Sequence, residues 1–453
     1  MLACYLDQIK SINNYQLTIN NPLSLKILQF ILTLLAQLYI RRHRPVIVAV
    51  TGNVGKTSTK EAIGAVLAKI KRSRMSAGNL NNELGVPLTI LGDWSDEYYE
   101  SGGSPFFWLK VIMLGVWRLV SGASYPEVLI LEYGADRPKD IKKLATKFKP
   151  HIGVVTAVGE IPVHVEYFSG PEAVAKEKAK LIESLLPSDF AVLNHDDFAV
   201  LSMKEKTKAQ VFSFGFTEGA KVQISNFDFK IGEDGKPKGL AFKLNSGESF
   251  VPVKLEGALG KSQALAASAA AAVGLIFGMN LVTISDALLF YKAPKGRLKL
   301  LSGIKNSLII DDSYNASPSA MHLALDTLKA LPRSGRKIAV LGDMLELGKY
   351  SIDAHREAGN LAGNFVDLLI CVGAKAKFIA DSAGNQMPKE HIFSFDTSDE
   401  AKTKIVETTK ENDLILIKGS QGMRMEKIVE EIMAEPERKK ELLVRQSGKW
   451  LEK

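Results

Sequence analysis

"VTGNVGKTSTKEAI", residues 50–63, decides how the chain is read. Gly55, Lys56 and Thr57 match the end of the phosphate-loop pattern G-x-x-x-x-G-K-[ST]. That pattern asks for a glycine where Val50 stands; the available one is Gly52, three residues before Gly55. The surroundings are still those of a phosphate site. "PVIVAVTG" (45–52) reads as a buried strand entering a glycine turn, and a helical pattern starts near Lys56 and runs to about Lys71. A strand–turn–helix unit aims backbone N–H groups and the positive helix end at an anion. In it Gly52, Asn53, Gly55 and Ser58 form the cradle, Lys56 reaches the β- and γ-phosphates, and the Thr57 hydroxyl holds Mg²⁺.

Further strands of parallel type follow from Glu127 ("EVLILEYGA"), His151 ("HIGVVTAVG") and Phe190 ("FAVLN"), separated by helical patterns as βαβ construction requires. Between Val211 and Leu255 the texture changes to short alternating runs around the turn "GEDGKPKG", which predicts a small antiparallel insert or edge sheet. "SQALAASAAAAVGLIFG" predicts a helix of small residues packed closely against a neighbour. After a Pro/Gly-interrupted hinge near Ala293–Gly296 the α/β rhythm restarts, with strands in "SLIIDDSYN", "KIAVLGDM", "VDLLICVGA", "HIFSFD" and "DLILIKGS". The fold class is therefore α/β: a P-loop-type ATPase domain with a mostly parallel sheet and a small antiparallel insert, then a Rossmann-like C-terminal domain. The expected boundaries are 1–44 for an N-terminal helical segment, 45–294 and 295–453. The charged tail "EPERKKELLVRQSGKWLEK" is expected as a surface helix or frayed end.

Composition supports a soluble multidomain protein. The chain has 453 residues, 46% hydrophobic and 24% charged. A net charge of +8 suits an anionic substrate or a membrane surface, while the lack of a dense Lys/Arg block argues against nucleic acid. Cys4 and Cys371 are too few and too far apart for a disulfide framework or a cysteine zinc site, as expected in the cytoplasm. The N-terminus lacks a basic stretch followed by a cleavage site, so no signal peptide is expected. "LSLKILQFILTLLAQLYIRRHR" (23–44) approaches the length of a membrane span. Lys26, Gln29, Thr33 and Gln37 draw a polar stripe down it, which favours a helix packed on protein or lying at the inner face of a membrane over one crossing it. "PFFWLKVIMLGVWRLV" (105–120), with Lys110 and Arg118, reads the same way, so peripheral membrane contact is a second expectation.

The shortened T-G-x-x-G-K-T-[ST] loop resembles the ATP loop of the Mur ligase family, enzymes that join amino acids to peptidoglycan precursors. "NNELGVPLTIL" (81–91), "LEYGADRPKDI" (131–141), "DDSYNASPSAM" (311–321), "LGDMLELG" (341–348) and "KGSQGMRMEKIV" (418–429) resemble its MurF branch in the same order. The resemblance implies an ATP- and Mg²⁺-dependent ligase that activates a peptide carboxylate as an acyl phosphate. A peptidoglycan-precursor peptide would be the acceptor and D-alanyl-D-alanine or a similar amine the donor. It implies Glu132 and His164 as metal ligands beside Thr57, with Lys56, His164 and Lys178 as catalytic residues. Lys178, between Lys176 and Lys180, stands where the family often carries a carbamylated lysine. Arg297 and Asp312 resemble interdomain contacts to phosphate and ribose. Asn82, Glu83, Asn315, Asp343, Glu346, Lys418 and Ser420 resemble substrate-binding positions, with Asn81, Tyr314, His355 and Arg424 in the same motifs.

Two departures stand out. The family's G-x-H-N-x-x-N-A-L-A-A stretch, which contacts the base, is "GALGKSQALAA" (257–267) here: Leu259 and Gly260 replace His-Asn and Gln263 the later Asn. The phosphate loop also begins at Thr51, too early for the family's N-terminal UDP-binding domain, so UDP recognition is expected to be lost, replaced or supplied by another chain. Two other readings stay open: a Mur-like ligase of another polymer, similar to poly-γ-glutamate synthases, and a non-catalytic nucleotide-binding scaffold.

Overall fold

The computed structural model describes residues 22–76, 78–332 and 335–450; Cys4 and the rest of 1–21 lie outside the described residues. Nine strands form the first sheet: β1 (Val46–Thr51), β2 (Ser73–Met75), β3 (Val128–Glu132), β4 (Ile152–Val155), β5 (Phe190–Asn194), β6 (Gln210–Gly215), β7 (Val222–Ile231), β8 (Pro237–Ser246) and β9 (Ser249–Glu256). Their order is β2-β3-β1-β4-β5-β6-β7-β8-β9. β3, β4 and all but the first residue of β1 are buried throughout, the mark of parallel strands covered on both faces. Alternation divides β1 between two cores. Ile47 and Ala49 meet helices Pro22–His43, Gly85–Leu91 and Pro105–Val120; Val48 and Val50 meet the phosphate-loop helix Lys56–Leu67 and the alanine-rich helix Lys261–Ile276. The small side chains of the last helix let it lie close to the phosphate-loop helix, where Gly274 faces Val66.

The second sheet contains β10 (Lys299–Ser302), β11 (Leu308–Asp312), β12 (Lys337–Gly342), β13 (Leu368–Val372), β14 (Ile392–Phe395) and β15 (Leu414–Lys418), ordered β10-β11-β15-β12-β13-β14. Every pair is parallel except β10–β11. Helices cover both faces, with separate apolar clusters on each side.

Several expectations change. "VFSFGF" pairs parallel with β5, because a helical connection at 198–206 carries the chain back in the same direction. In the first sheet only β7–β9 run antiparallel, and they extend it at one edge, as the edge-sheet reading expects. The phosphate-loop helix stops at Leu67, four residues early, where the chain turns toward the unforeseen edge strand β2. The four-residue strand β10 is likewise absent from the sequence reading. The tail is no frayed end: Leu443, Val444 and Arg445 are buried, and Arg445 donates to the carbonyls of Ser313 and Tyr314 and pairs with Glu426. Among the described residues, Cys371 is a buried free thiol.

The Pro22–His43 helix corrects the reading of its polar stripe. Leu28, Leu32, Leu35, Ala36 and Tyr39 are buried against the protein, whereas Gln29, Thr33 and Gln37 lie half-buried on a flank. Gln37 donates to the Lys147 carbonyl. The face turned to solvent carries Ile27, Phe30, Ile31, Leu34 and Leu38. The helix runs directly into β1, so it belongs to the layer covering the sheet.

Candidate active site

The phosphate loop is shaped by the strand beside it. Gly52 adopts φ 145°, and a Cβ there would stand 2.0 Å from Thr156 Oγ1 in the loop after β4, so only glycine fits. Asn53 is tied to that loop twice, its N–H donating to the Ala157 carbonyl and its side chain to that of Val158. Gly55, at φ 87°, begins the helix. The Gly52 carbonyl accepts from two lysines, Lys56 Nζ at 2.9 Å and Lys178 Nζ at 3.1 Å. Burial lowers the pKa of both. For Lys178 the charge of Lys56 adds to burial, and the value falls to about 7 from an ordinary 10.5.

Opposite these cations, at the end of β3, Glu132 is almost fully buried. Its carboxylate accepts from the Thr57 hydroxyl at 3.2 Å and from Asn81 Nδ2 at 3.1 Å. His164 is held in a left-handed conformation (φ 66°) with Nε2 3.4 Å from Asp136. Its Nδ1 lies 2.5 Å from Glu346 Oε2 of the second unit, a close polar contact that does not meet hydrogen-bond geometry.

Lys56, Glu132, His164 and Lys178 line one cleft with Arg297, Asn315, Glu346 and Ser420 from the second unit. The Arg297 guanidinium stacks on Tyr314 at 4.1 Å. Ser420 Oγ accepts from the Leu345 N–H and so holds the loop that presents Glu346.

Other predicted positions do not line this cleft. Asp312 and Lys418 form a buried pair at 2.6 Å; Asp312 also accepts from the Leu298 N–H, and Lys418 donates to the Asn315 carbonyl. Asp343 caps the backbone at Lys375 and Ala376. Asn82 caps its own turn through Leu84 and Gly85, and Glu83 pairs with Lys143 and Lys147. Ser58 is buried beside the Tyr291 hydroxyl. His355 accepts from the Met344 N–H deep in the second core, and burial lowers its pKa to about 4. Arg424 pairs with Glu426.

Sequence reasoning missed Asp136 and the work of Gln263. Gln263 accepts from Tyr291 and donates to the Arg297 carbonyl, linking the phosphate-loop neighbourhood to the hinge. Leu259 is buried beside Leu298 in the second unit's core. At these positions the departure from the family pattern reads as packing.

A phosphate loop on one α/β unit, faced by an arginine and a carboxylate from a second, defines a two-unit class of phosphate-binding enzyme with its site in the cleft between them. Residues 116–273 match the Mur ligase middle domain, and residues 296–421 match the Mur ligase, glutamate ligase domain. The chain belongs to the Mur ligase family and is a ligase of its ATP-dependent acid–amino-acid class. It is 28% identical over 403 residues to UDP-N-acetylmuramoyl-tripeptide–D-alanyl-D-alanine ligase of Bacillus subtilis, spanning 89% of this chain and 79% of that one. The enzyme of the same name from Escherichia coli is 28% identical over 434 residues, spanning 94% and 86%. Among solved structures, MurF from Thermotoga maritima in complex with ADP matches with a TM-score of 0.73 and 26% identity, covering 90% of this chain and 84% of that one.

Proposed function

We propose that this ligase couples ATP hydrolysis to an amide bond between a UDP-N-acetylmuramoyl-peptide carboxylate and D-alanyl-D-alanine or a similar amine, in the cytoplasm. The observation that carries the reading is the convergence of Lys56, Lys178 and Arg297 on one cleft with Glu132 and Glu346. A carboxylate resists attack by an amine until phosphorylation gives it a leaving group. The γ-phosphoryl, carboxylate and amine must then be gathered and their negative charge neutralised as it spreads in the transition state. Lys56 and Arg297 supply that neutralisation from opposite sides of the cleft. Glu346 holds the donor ammonium near the carboxylate, and closure of the second unit excludes water.

The Thr57 hydroxyl and Glu132 carboxylate, 3.2 Å apart, fit Mg²⁺, a hard ion commonly held by one or two protein oxygens and the phosphates themselves. When bound, it supplies further charge neutralisation at the phosphates. His164 completes the expected set at the edge of the cleft. Lys178 deprotonates near neutral pH, so its amine can add to CO₂, forming an N–C bond and releasing one proton. The resulting carbamate anion would stand near Lys56 and next to the metal ligands.

The test is phosphate release from ATP with Mg²⁺, UDP-N-acetylmuramoyl-tripeptide and a panel of amines. Turnover requiring both the peptide and D-alanyl-D-alanine is expected. Release that ignores the amine refutes ligation, and a different preferred donor redirects the substrate assignment. In Lys178→Ala, partial recovery with added formate or acetate is expected from a carbamate role; no recovery, with no carbamate carbon detected on the wild-type lysine, removes it.

A further inference from the structure

Helices Pro22–His43 and Pro105–Val120 pack side by side, with Leu35 against Gly115 and the Tyr39 hydroxyl donating to the Gly115 carbonyl. Each buries one apolar face and turns a second one outward. On the second helix Phe106 is 84% exposed and Trp117 60%, with Leu109, Met113, Val116 and Val120 in the same stripe; on the first, Phe30 is 69% exposed. Scattered exposed apolar residues are ordinary on a soluble protein; two adjacent stripes are not. Neither helix contains an Asp or Glu, and Lys26, Arg41 and Arg42 flank the apolar faces; Lys110 pairs with Glu97 of the neighbouring helix at 2.9 Å, and Arg118 stacks on Trp94. From this we propose that the paired helices form a docking surface for a membrane leaflet containing anionic lipid.

Large apolar side chains with a mainly basic flank are what an in-plane helix presents to a lipid surface: rings and aliphatic tips below the headgroups, guanidinium and ammonium groups among them. The exposed Trp117 suits that boundary. Charge argues against a second copy as the occupant. A two-fold interface places the same patch on both sides, so this rim, basic at Lys26, Arg41 and Arg42 and neutralised only where Glu97 pairs with Lys110, would face mainly its own positive charges. Burial argues against a span, because one face of the Pro22–His43 helix is fixed in the core and its end feeds the central strand. The surface lies on the layer built over the sheet, apart from the cleft residues, so attachment leaves the ligase chemistry accessible. The inference does not depend on the identity of the acceptor or donor.

The test is sedimentation of the full chain with phosphatidylcholine vesicles, either pure or containing about 30 mol% phosphatidylglycerol. Binding to the anionic vesicles is expected to exceed binding to the neutral ones by about tenfold and to weaken with salt. Phe106→Ser with Trp117→Ser, and separately Arg41→Glu with Arg42→Glu, should each cut it by about tenfold while preserving phosphate release, which reports an intact fold. Equal binding to both vesicles, or to neither, overturns the proposal. So does a dimer in sedimentation velocity that the Phe106/Trp117 variant dissociates, or vesicle binding that appears only when residues 1–21 are removed.

Discussion

The two sheets place charged residues at the same address, the carboxyl ends of parallel strands, and use them in opposite ways. Glu132 at the end of β3 and Lys56 just past the loop after β1 line the open cleft, joined there by Lys178 from helix Pro171–Glu183. At the ends of β11 and β15, Asp312 and Lys418 close on each other at 2.6 Å and support the backbone around Arg297 and Asn315. Strand-end position therefore predicts where ligands approach, but not whether a given charge meets the ligand or stabilises the floor beneath it. What separates the cases is the partner each group already has.

Substitutions can test that contrast. The largest effect is expected for Lys56→Ala, which removes a cation aimed at the transferring phosphoryl group; turnover should fall by about 10³-fold or more with little change in thermal stability. Phosphate-release rates near wild type would place Lys56 with the supporting charges instead. Next comes Asp312→Ala, which strands a buried ammonium and should cost about 3–5 kcal/mol in chemical denaturation. Asp312→Leu combined with Lys418→Met should recover most of that loss, since neither charge is then left alone. Equal destabilisation in the single and double variants would count against a self-compensating pair.

Lys178 sits between the extremes, and its pKa sets the sign. Its folded value, about 7, is below the unfolded 10.5, so between these pH values the unfolded chain binds more protons and stability rises as pH is raised. Below about pH 7 the penalty is fully present. Lys178→Met should therefore abolish turnover yet stabilise the fold by roughly 1–3 kcal/mol at pH 7 in CO₂-free buffer, and it should flatten the stability profile from pH 7 to 9.5. A destabilised variant would mean that the link to the Gly52 carbonyl outweighs desolvation. The smallest effect belongs to Glu83→Ala. Its long, partly exposed pairs with Lys143 and Lys147 are worth less than about 0.5 kcal/mol, and activity should be unchanged. A clear rise in KM for the peptide would return Glu83 to the substrate site.

Much of this was legible in the sequence where the signal is local. The phosphate loop combines a buried strand, glycines of special conformation and a lysine within a few residues, and the parallel strands appear as unbroken apolar runs. Glu132, His164 and Lys178 became visible through motif order, and each lines the cleft. Long-range closure was not legible. That Asp343 caps a loop more than thirty residues away, or that Gln263 grips the Arg297 carbonyl, depends on packing between distant elements. The Pro22–His43 helix packs on the protein as expected, but which face it buries was not legible. With two apolar faces on one helix, periodicity locates the polar stripe but cannot say which apolar face the core will take.

The contact between His164 and Glu346 has a consequence for the timing of the cycle. It joins the two units across the cleft, and both residues sit in left-handed backbone. Separating the two units means breaking this contact. We expect turnover to slow as solvent viscosity is raised, the readout of a cycle limited by separation of the units.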